Sequence, residues 1–201
     1  MEKKKPDHLS QLLVMKFGGT SVGSPEAMSQ AADIVAGELA GWKGVVPIVS
    51  ALNGVTNLLL DAAHNAASGN RTFVDSTADE LSKRHQSMLD DLVSDNDIKA
   101  IAIEEINHLI GEFTNLVQAM YILGEASPRG IDAVGSLGER MCARILSALL
   151  NARKIKATVV DATRLIVTDA RFTSANPDEA ATREKTRRVL LPLIEQGITP
   201  V

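Results

Sequence analysis

The sequence predicts an α/β protein with a mainly parallel sheet, and three observations carry that reading. A nearly all-apolar run, Leu12-Leu-Val-Met-Lys-Phe17, stops at Gly18-Gly19, the pattern of a strand buried on both faces. A capped helical segment and a second apolar run, Gly44-Val-Val-Pro-Ile-Val49, follow at once. Strand, helix and strand in such close succession form a βαβ unit, which requires parallel pairing through a right-handed crossover. At the far end the β-rich run 156–160 precedes a helix and another strand-like stretch, Gly197-Ile-Thr-Pro-Val201.

The elements follow in order. Residues 1–8, Met-Glu-Lys-Lys-Lys-Pro-Asp-His, read as a flexible solvated tail. After the first strand, Ser24-Pro25-Glu26 supplies an N-cap, a first-turn proline and a first-turn acid. Met28, Ala31, Ala32, Val35 and Leu39 continue at helical spacing until Gly41. Pro47 marks the second strand as an edge or irregular one. From Thr56 to Leu150 the pattern is helical. One face carries Leu81, His85, Met88, Leu89 and Leu92; another carries Ile98, Ile101, Glu105, Leu109, Phe113, Leu116 and Met120. A loop, 124–130, precedes a helix expected over 131–152. Strands are expected at 156–160 and 165–168, and Asn176-Pro177-Asp178 opens a last helix reaching Gln196. Ending in a strand-like run just after a helix, the chain reads as a portion of a larger domain. Its unfinished sheet is expected to expose an apolar edge and favour self-association.

Composition narrows the function. With 45% hydrophobic and 23% charged residues the chain can bury a core, and its net charge of −4 argues against nucleic acid as a partner. Four Phe, one Trp and one Tyr are too few for a base-stacking platform. The single Cys142 cannot form an internal disulfide, and no apolar run spans a membrane or resembles a cleaved signal. A cytoplasmic location is the default. His8, His64, His85 and His108 share no metal-ligand spacing, and Cys142 reads as core rather than nucleophile.

Four segments could carry chemistry. In Lys16-Phe-Gly-Gly-Thr-Ser21, a lysine in a dry strand needs an anion, and Gly18 and Gly19 let backbone amides approach phosphate oxygens. Thr20 and Ser21 add hydroxyls just before a helix N-terminus. The alternative is an ordinary βα turn whose lysine reaches solvent. In Ser50-Ala-Leu-Asn-Gly-Val-Thr56, Ser50, Asn53 and Thr56 suit a carboxylate, and the segment follows a parallel strand where ligands bind. The alternative is an Asn-Gly turn with Thr56 as a helix cap. In Gly135-Ser-Leu-Gly-Glu-Arg140, Glu139 could hold an ammonium group or merely complement the helix dipole. In the polar loop 168–178, Arg171 is the natural carboxylate clamp, unless the loop is only a solvated connection.

Lys-Phe-Gly-Gly-Thr-Ser at 16–21 resembles the opening signature of aspartate kinases, in the amino-acid-kinase family. Residues 50–57 resemble their second motif, 135–140 their Gly-Glu segment and 167–177 their substrate loop. The resemblance implies a three-layer αβα fold, here incomplete at its C-terminal end. It implies transfer of the ATP γ-phosphoryl group, with Mg²⁺ on the nucleotide, to the β-carboxylate of L-aspartate. This reaction opens lysine, threonine and methionine biosynthesis. Lys16 would neutralise the transferring phosphoryl group, Gly18, Gly19 and Ser21 would contact phosphates, Ser50 and Thr56 would hold substrate, and Glu139 would bind its α-ammonium. Where some members carry an arginine before the Ala-x-Pro of the substrate loop, this chain has Ser174, leaving Arg171 as the candidate clamp. The family's Gly-Arg-Gly-Gly-Ser-Asp nucleotide segment and its ACT domains are not in the sequence. The expectation is an aspartate-side portion, 9–201, inactive alone, of a protein that forms homo-oligomers. Acetylglutamate or glutamate as acceptor, or a non-catalytic amino-acid-binding module, are the competing readings.

Overall fold

The computed structural model describes residues 8–201, with side chains from residue 11. Of the expected tail only His8 falls in that range, and it begins the first strand. Strand β1 (His8–Phe17) pairs in parallel with β2 (Trp42–Val49), from Leu12↔Gly44 to Phe17↔Val49, with an irregularity between His8 and Leu12. Helix α1 (Pro25–Glu38) makes the crossover. Ser24 caps it by accepting the Ala27 N–H at 3.3 Å, and Pro25 opens its first turn.

The remaining helices form one body with this unit: α2 (Val55–Ala67), α3 (Arg71–Leu92), α4 (Asn96–Leu123), α5 (Pro128–Gly135), α6 (Leu137–Ala152) and α7 (Glu179–Glu195). Two short strands, β3 (Ala157–Thr158) and β4 (Thr199–Pro200), pair in parallel. β4 lies alongside β2 without joining its ladder. β2 and β4 each carry a proline, which has no N–H to donate.

One face of the β1–β2 pair, with Leu13, Met15, Phe17, Val45 and Val49, packs into a single core with α1–α6. Phe113, Leu81, Leu89, Leu59, Met28 and Ile145 are fully buried there. Helix α6 buries residues on nearly every side, from Leu137 through Leu150, because α1, α2, α3, α4 and β2 all surround it.

Burial on both faces of β1 does not hold. Val14 is 60% exposed, Ile48 of β2 48% and Leu12 38%, because α7 covers only part of that second face, through Leu190 and Ile194 over Gly44 and Val46. An open cleft of about 500 Å³ runs along it.

Other expectations need correction. The helix expected over 131–152 is two helices meeting at Ser136, whose Oγ donates to the Ala133 carbonyl at 2.9 Å. Helix α5 also begins earlier, where Ser127 caps Gly130 N–H at 3.2 Å. The strand expected at 165–168 is absent. The Val167 N–H donates to Thr182 Oγ1 at 3.0 Å and its carbonyl accepts from Asp178 N–H at 2.8 Å, so α7 and its cap take the bonds a ladder would need. Thr168 forms only an isolated bridge to Pro177. On α4 the buried stripe is Ala102, Ile106, Leu109, Ile110, Phe113, Val117 and Met120, and Ile101 is 60% exposed. A stripe written at strict three- and four-residue steps from Ile98 drifts off the contact side at the helix start.

Glycines let the functional turns interlock. A Cβ on Gly19 would lie 3.3 Å from the Ala51 carbonyl oxygen, and one on Gly23 only 2.7 Å from the Gly19 carbonyl. On α6, a Cβ at Gly138 would meet Ala51 Cβ at 2.7 Å and Val55 Cγ1 at 3.3 Å. An Ala normally stabilises a helix over Gly by up to about 1 kcal/mol, but here the overlap reverses the sign. Gly138→Ala is expected to cost about 1–3 kcal/mol, read as a lower urea midpoint; a neutral or stabilised variant would show that α6 and the Ala51 turn are not in this contact.

His85 is fully buried on α3, as its place on the apolar face suggests. Its Nδ1 lies 2.7 Å from the Leu81 carbonyl, and Nε2 has no hydrogen-bond partner among the described residues. Burial holds its pKa below the ordinary histidine value. The unfolded chain therefore takes up a proton below about pH 6.5 while the folded chain resists, so stability falls as pH drops through that range. Urea titrations at stepped pH should show wild type losing stability relative to His85→Leu by up to about 1.4 kcal/mol per pH unit below 6.5. Parallel pH profiles for the two proteins would contradict this.

Candidate functional site

The carboxyl ends of β1 and β2 come level, because Phe17 pairs with Val49 and the Ser50 N–H donates to the Phe17 carbonyl at 3.0 Å. Both following turns leave from this edge, where parallel sheets bind ligands. After Phe17 a tight 3₁₀ turn, Gly19–Ser21, is closed by Ser21 N–H donating to the Gly18 carbonyl at 2.8 Å. Lys16 is exposed, not buried in a dry strand as expected, since it points to the face that α7 leaves uncovered. Its Nζ lies 3.8 Å from where a Cβ of Gly18 would stand, so the ammonium hangs over the glycine turn. Gly18 is extended, and what its missing side chain provides is room for that ammonium.

The second turn, 50–54, ends in Gly54 at φ +77°, a conformation that glycine adopts without strain. Thr56 is the second residue of α2, inside the helix, and Gly54 is the N-cap. The hydroxyl of Thr56 is therefore not spent as the cap, one of the two roles open to it from sequence. Arg84 of α3 braces the turn by donating to the Asn53 carbonyl at 3.4 Å, while Glu80 holds its Nε at 2.6 Å.

Helix α6 brings the third segment to the same place, with Gly138 seated on Ala51 and Val55. Glu139 and Ser136 line the cleft beside Val49. Next to Glu139, Arg140 pairs with Glu112 of α4 at 2.6 Å and with Asp161 at 3.5 Å. Arg144 pairs with Asp161 at 3.3 Å and with Glu105 at 3.3 Å. Burial opposes the charge on Arg140, but Glu112 and Asp161 outweigh it and hold its pKa above the ordinary value. The network fastens the start of α6 to α4 and to the turn after β3. Cys142, one helical turn below Glu139, is fully buried, and burial pushes its thiol up to about 12, which leaves it inert as a nucleophile.

The loop 168–177 is tightly organised. Asp169 accepts from the backbone of Arg171 and Asn176, each at 3.1 Å, and from the Asn176 side chain at 3.0 Å. These bonds, the side-chain one first, hold its carboxyl below the usual range. Arg171 has 74% of its side chain exposed and lies 3.7 Å from Asp169. The loop docks on α5: Thr173 N–H donates to Asp132 at 2.7 Å and Arg129 sits 5.8 Å from the Phe172 ring centre.

The structure thus gathers Lys16, Gly18, Gly19, Ser21, Ser50, Thr56 and Glu139 on interlocked segments, and ties the loop of Arg171 to the helix preceding Glu139. The sequence reading missed Arg84, Asp132 and the Arg140–Glu112–Asp161 network. Their partners lie 31, 41 and 28 residues away in the chain for the bonds Arg84–Asn53, Thr173–Asp132 and Arg140–Glu112, and no local pattern announces such pairs.

The sequence model of the amino acid kinase family matches residues 11–201. Lysine-sensitive aspartokinase 3 of Escherichia coli is 34% identical over 190 residues, which is 94% of this chain and 40% of that protein. A bifunctional chloroplastic aspartokinase/homoserine dehydrogenase of Arabidopsis thaliana is 30% identical over 77% of this chain and 16% of its own length. In three dimensions, E. coli aspartokinase III in complex with aspartate and ADP superposes with a TM-score of 0.80 at 32% identity, over 94% of this chain and 40% of that one. The chain therefore spans about two fifths of the aspartokinase it matches in E. coli. Its strand–turn–helix unit and helical layer are those of that fold, and the chain belongs to the amino acid kinase family.

Proposed function

We propose that this chain is the aspartate-side portion of an aspartokinase, which transfers the γ-phosphoryl group of ATP to the β-carboxylate of L-aspartate. The observation that carries the reading is the convergence of the Lys16 turn, the 50–56 turn and the start of α6 at one sheet edge. It occurs in a chain 34% identical to an E. coli aspartokinase along nearly all its length. In this reading the adenosine contacts belong to sequence that the relatives carry beyond the matched part.

Lys16 supplies an exposed positive charge at the end of β1, suited to the oxygens of the phosphoryl group in flight. The Gly18–Gly19 turn and Ser21 offer backbone and hydroxyl donors to the phosphates without side-chain obstruction. Ser50 and Thr56 face the acceptor with hydroxyls, Glu139 takes the α-ammonium, and Arg171 takes the α-carboxylate. The attacking β-carboxylate is already ionised at neutral pH, its ordinary pKa being about 3.9, so no general base is needed. In this reading Mg²⁺ enters on the nucleotide phosphates, as is usual for phosphoryl transfer. Aspartate, ATP and this pathway step belong to the whole protein in this proposal.

Calorimetric titration of the 201-residue chain tests it. L-Aspartate is expected to bind in preference to glutamate and acetylglutamate. Glu139→Gln is expected to weaken that binding roughly 10- to 150-fold, the worth of one charged hydrogen bond. Equal affinities for the three acids, or no effect of Glu139→Gln, would move the assignment to another carboxylate or to a different ammonium site.

A further inference from the structure

We propose that Asp132 is a positioning residue: its carboxylate latches the Arg171 loop onto α5 by holding Thr173 in a left-handed backbone conformation. The inference rests on the aspartate-binding reading for its functional consequence, but the latch itself is a property of the loop.

Thr173 sits at φ +67°. A β-branched residue is rare and strained in this region, because its Cβ crowds the backbone. Such a conformation persists only where the surroundings over-determine it. Here the compensating contact is specific: the Thr173 N–H donates to Asp132 Oδ2 at 2.7 Å, a charge-assisted bond between residues 41 positions apart. One turn earlier on α5, Arg129 meets the ring of Phe172, 5.8 Å from its centre. Asp132 and Arg129 are three residues apart, so they present to the loop from one side of the helix. The rest of the loop is stiffened internally by Asp169, which leaves Thr173 as its polar point of attachment to α5.

The consequence lies in what α5 leads to. Only Ser136 separates α5 from α6, and α6 carries Glu139 in its first turn. The latch therefore fixes Arg171, the proposed α-carboxylate clamp, relative to Glu139, the proposed ammonium acceptor. A pocket for an amino acid needs those two charges at a set separation, and pre-organising them lowers the ordering cost of binding.

The test uses the 201-residue chain and two readouts. The first is the rate of native-state tryptic cleavage after Arg171, followed by mass spectrometry, which reports loop opening whether or not the chain binds aspartate. Asp132→Ala is expected to raise that rate roughly tenfold, the equivalent of about 1.4 kcal/mol of lost loop ordering. Asp132→Asn keeps an acceptor oxygen and should stay within about threefold of wild type. Thr173→Gly added to Asp132→Ala should bring cleavage back to a similar margin, because glycine adopts the left-handed conformation unaided. A general weakening of α5 would not be repaired by a change in the loop.

The second readout is L-aspartate affinity, expected to fall about fivefold or more in Asp132→Ala, to stay near wild type in Asp132→Asn, and to stay low in the double variant, whose loop is relaxed but no longer tied to α5. Cleavage of Asp132→Ala at the wild-type rate, or no rescue by Thr173→Gly, would overturn the latch. An opened loop with unchanged aspartate affinity would overturn its positioning role. A wild-type chain that binds no aspartate would instead defeat the aspartate reading, with the cleavage rates still deciding the latch.

Discussion

The parallel register of β1 with β2 is the constraint on which the site depends. Pairing Phe17 with Val49 ends both strands at one level, and the bond from Ser50 N–H to the Phe17 carbonyl extends that alignment into the following turn. Because the pairing is parallel, both turns emerge at the same edge, which antiparallel pairing would have sent to opposite ends. Everything that touches the edge is then set by how closely the turns can approach. Gly19, Gly23 and Gly138 lack the side chains that would separate the Lys16 turn, the Ala51 turn and α6. A shift of one residue in register would turn every side chain of β1 over relative to β2 and carry Lys16 to the opposite face of the pair.

Helix α6 has two duties that its sequence keeps apart. Its buried faces, from Leu137 to Leu150, form the centre of the core, while the half-buried rim of its first turn carries Glu139 to the cleft. Arg140 and Arg144 sit between, paired with Glu112, Glu105 and Asp161. Pairing on several sides offsets the cost of placing guanidinium groups in a half-buried position and anchors the helix against rotation. The placement of the neighbouring Glu139 thus rests on contacts made by other residues of the helix.

Much of this was legible in the sequence where the signal is local. Ser24-Pro25, Asp178 and the apolar runs 12–17 and 44–49 locate α1, α7, β1 and β2 to within a few residues, because caps and hydrophobic period act over one or two turns. The first two motif segments meet at one sheet edge as parallel topology requires, α6 brings the third against them, and the fourth docks on α5. What local pattern could not give is coverage and partnership. Lys16 and Val14 read as buried because apolar runs imply two covered faces, yet α7 reaches only Gly44 and Val46. Residues 165–168 have β-rich composition, but their backbone bonds go to Thr182 and Asp178, a choice made by tertiary packing. Gly135-Ser136 was readable as a helix start, although the break between α5 and α6 there was not foreseen.

The central claim is that this edge binds L-aspartate for phosphoryl transfer, and hydroxylamine trapping of the acyl phosphate tests it most directly. The protein to assay is a chimera in which this chain replaces the 190-residue matched stretch of E. coli aspartokinase, supplied with Mg-ATP and a single amino acid at a time. The account predicts aspartyl hydroxamate from L-aspartate and its loss on Lys16→Ala. A folded chimera that gives no hydroxamate with aspartate, or as much with glutamate, would contradict it.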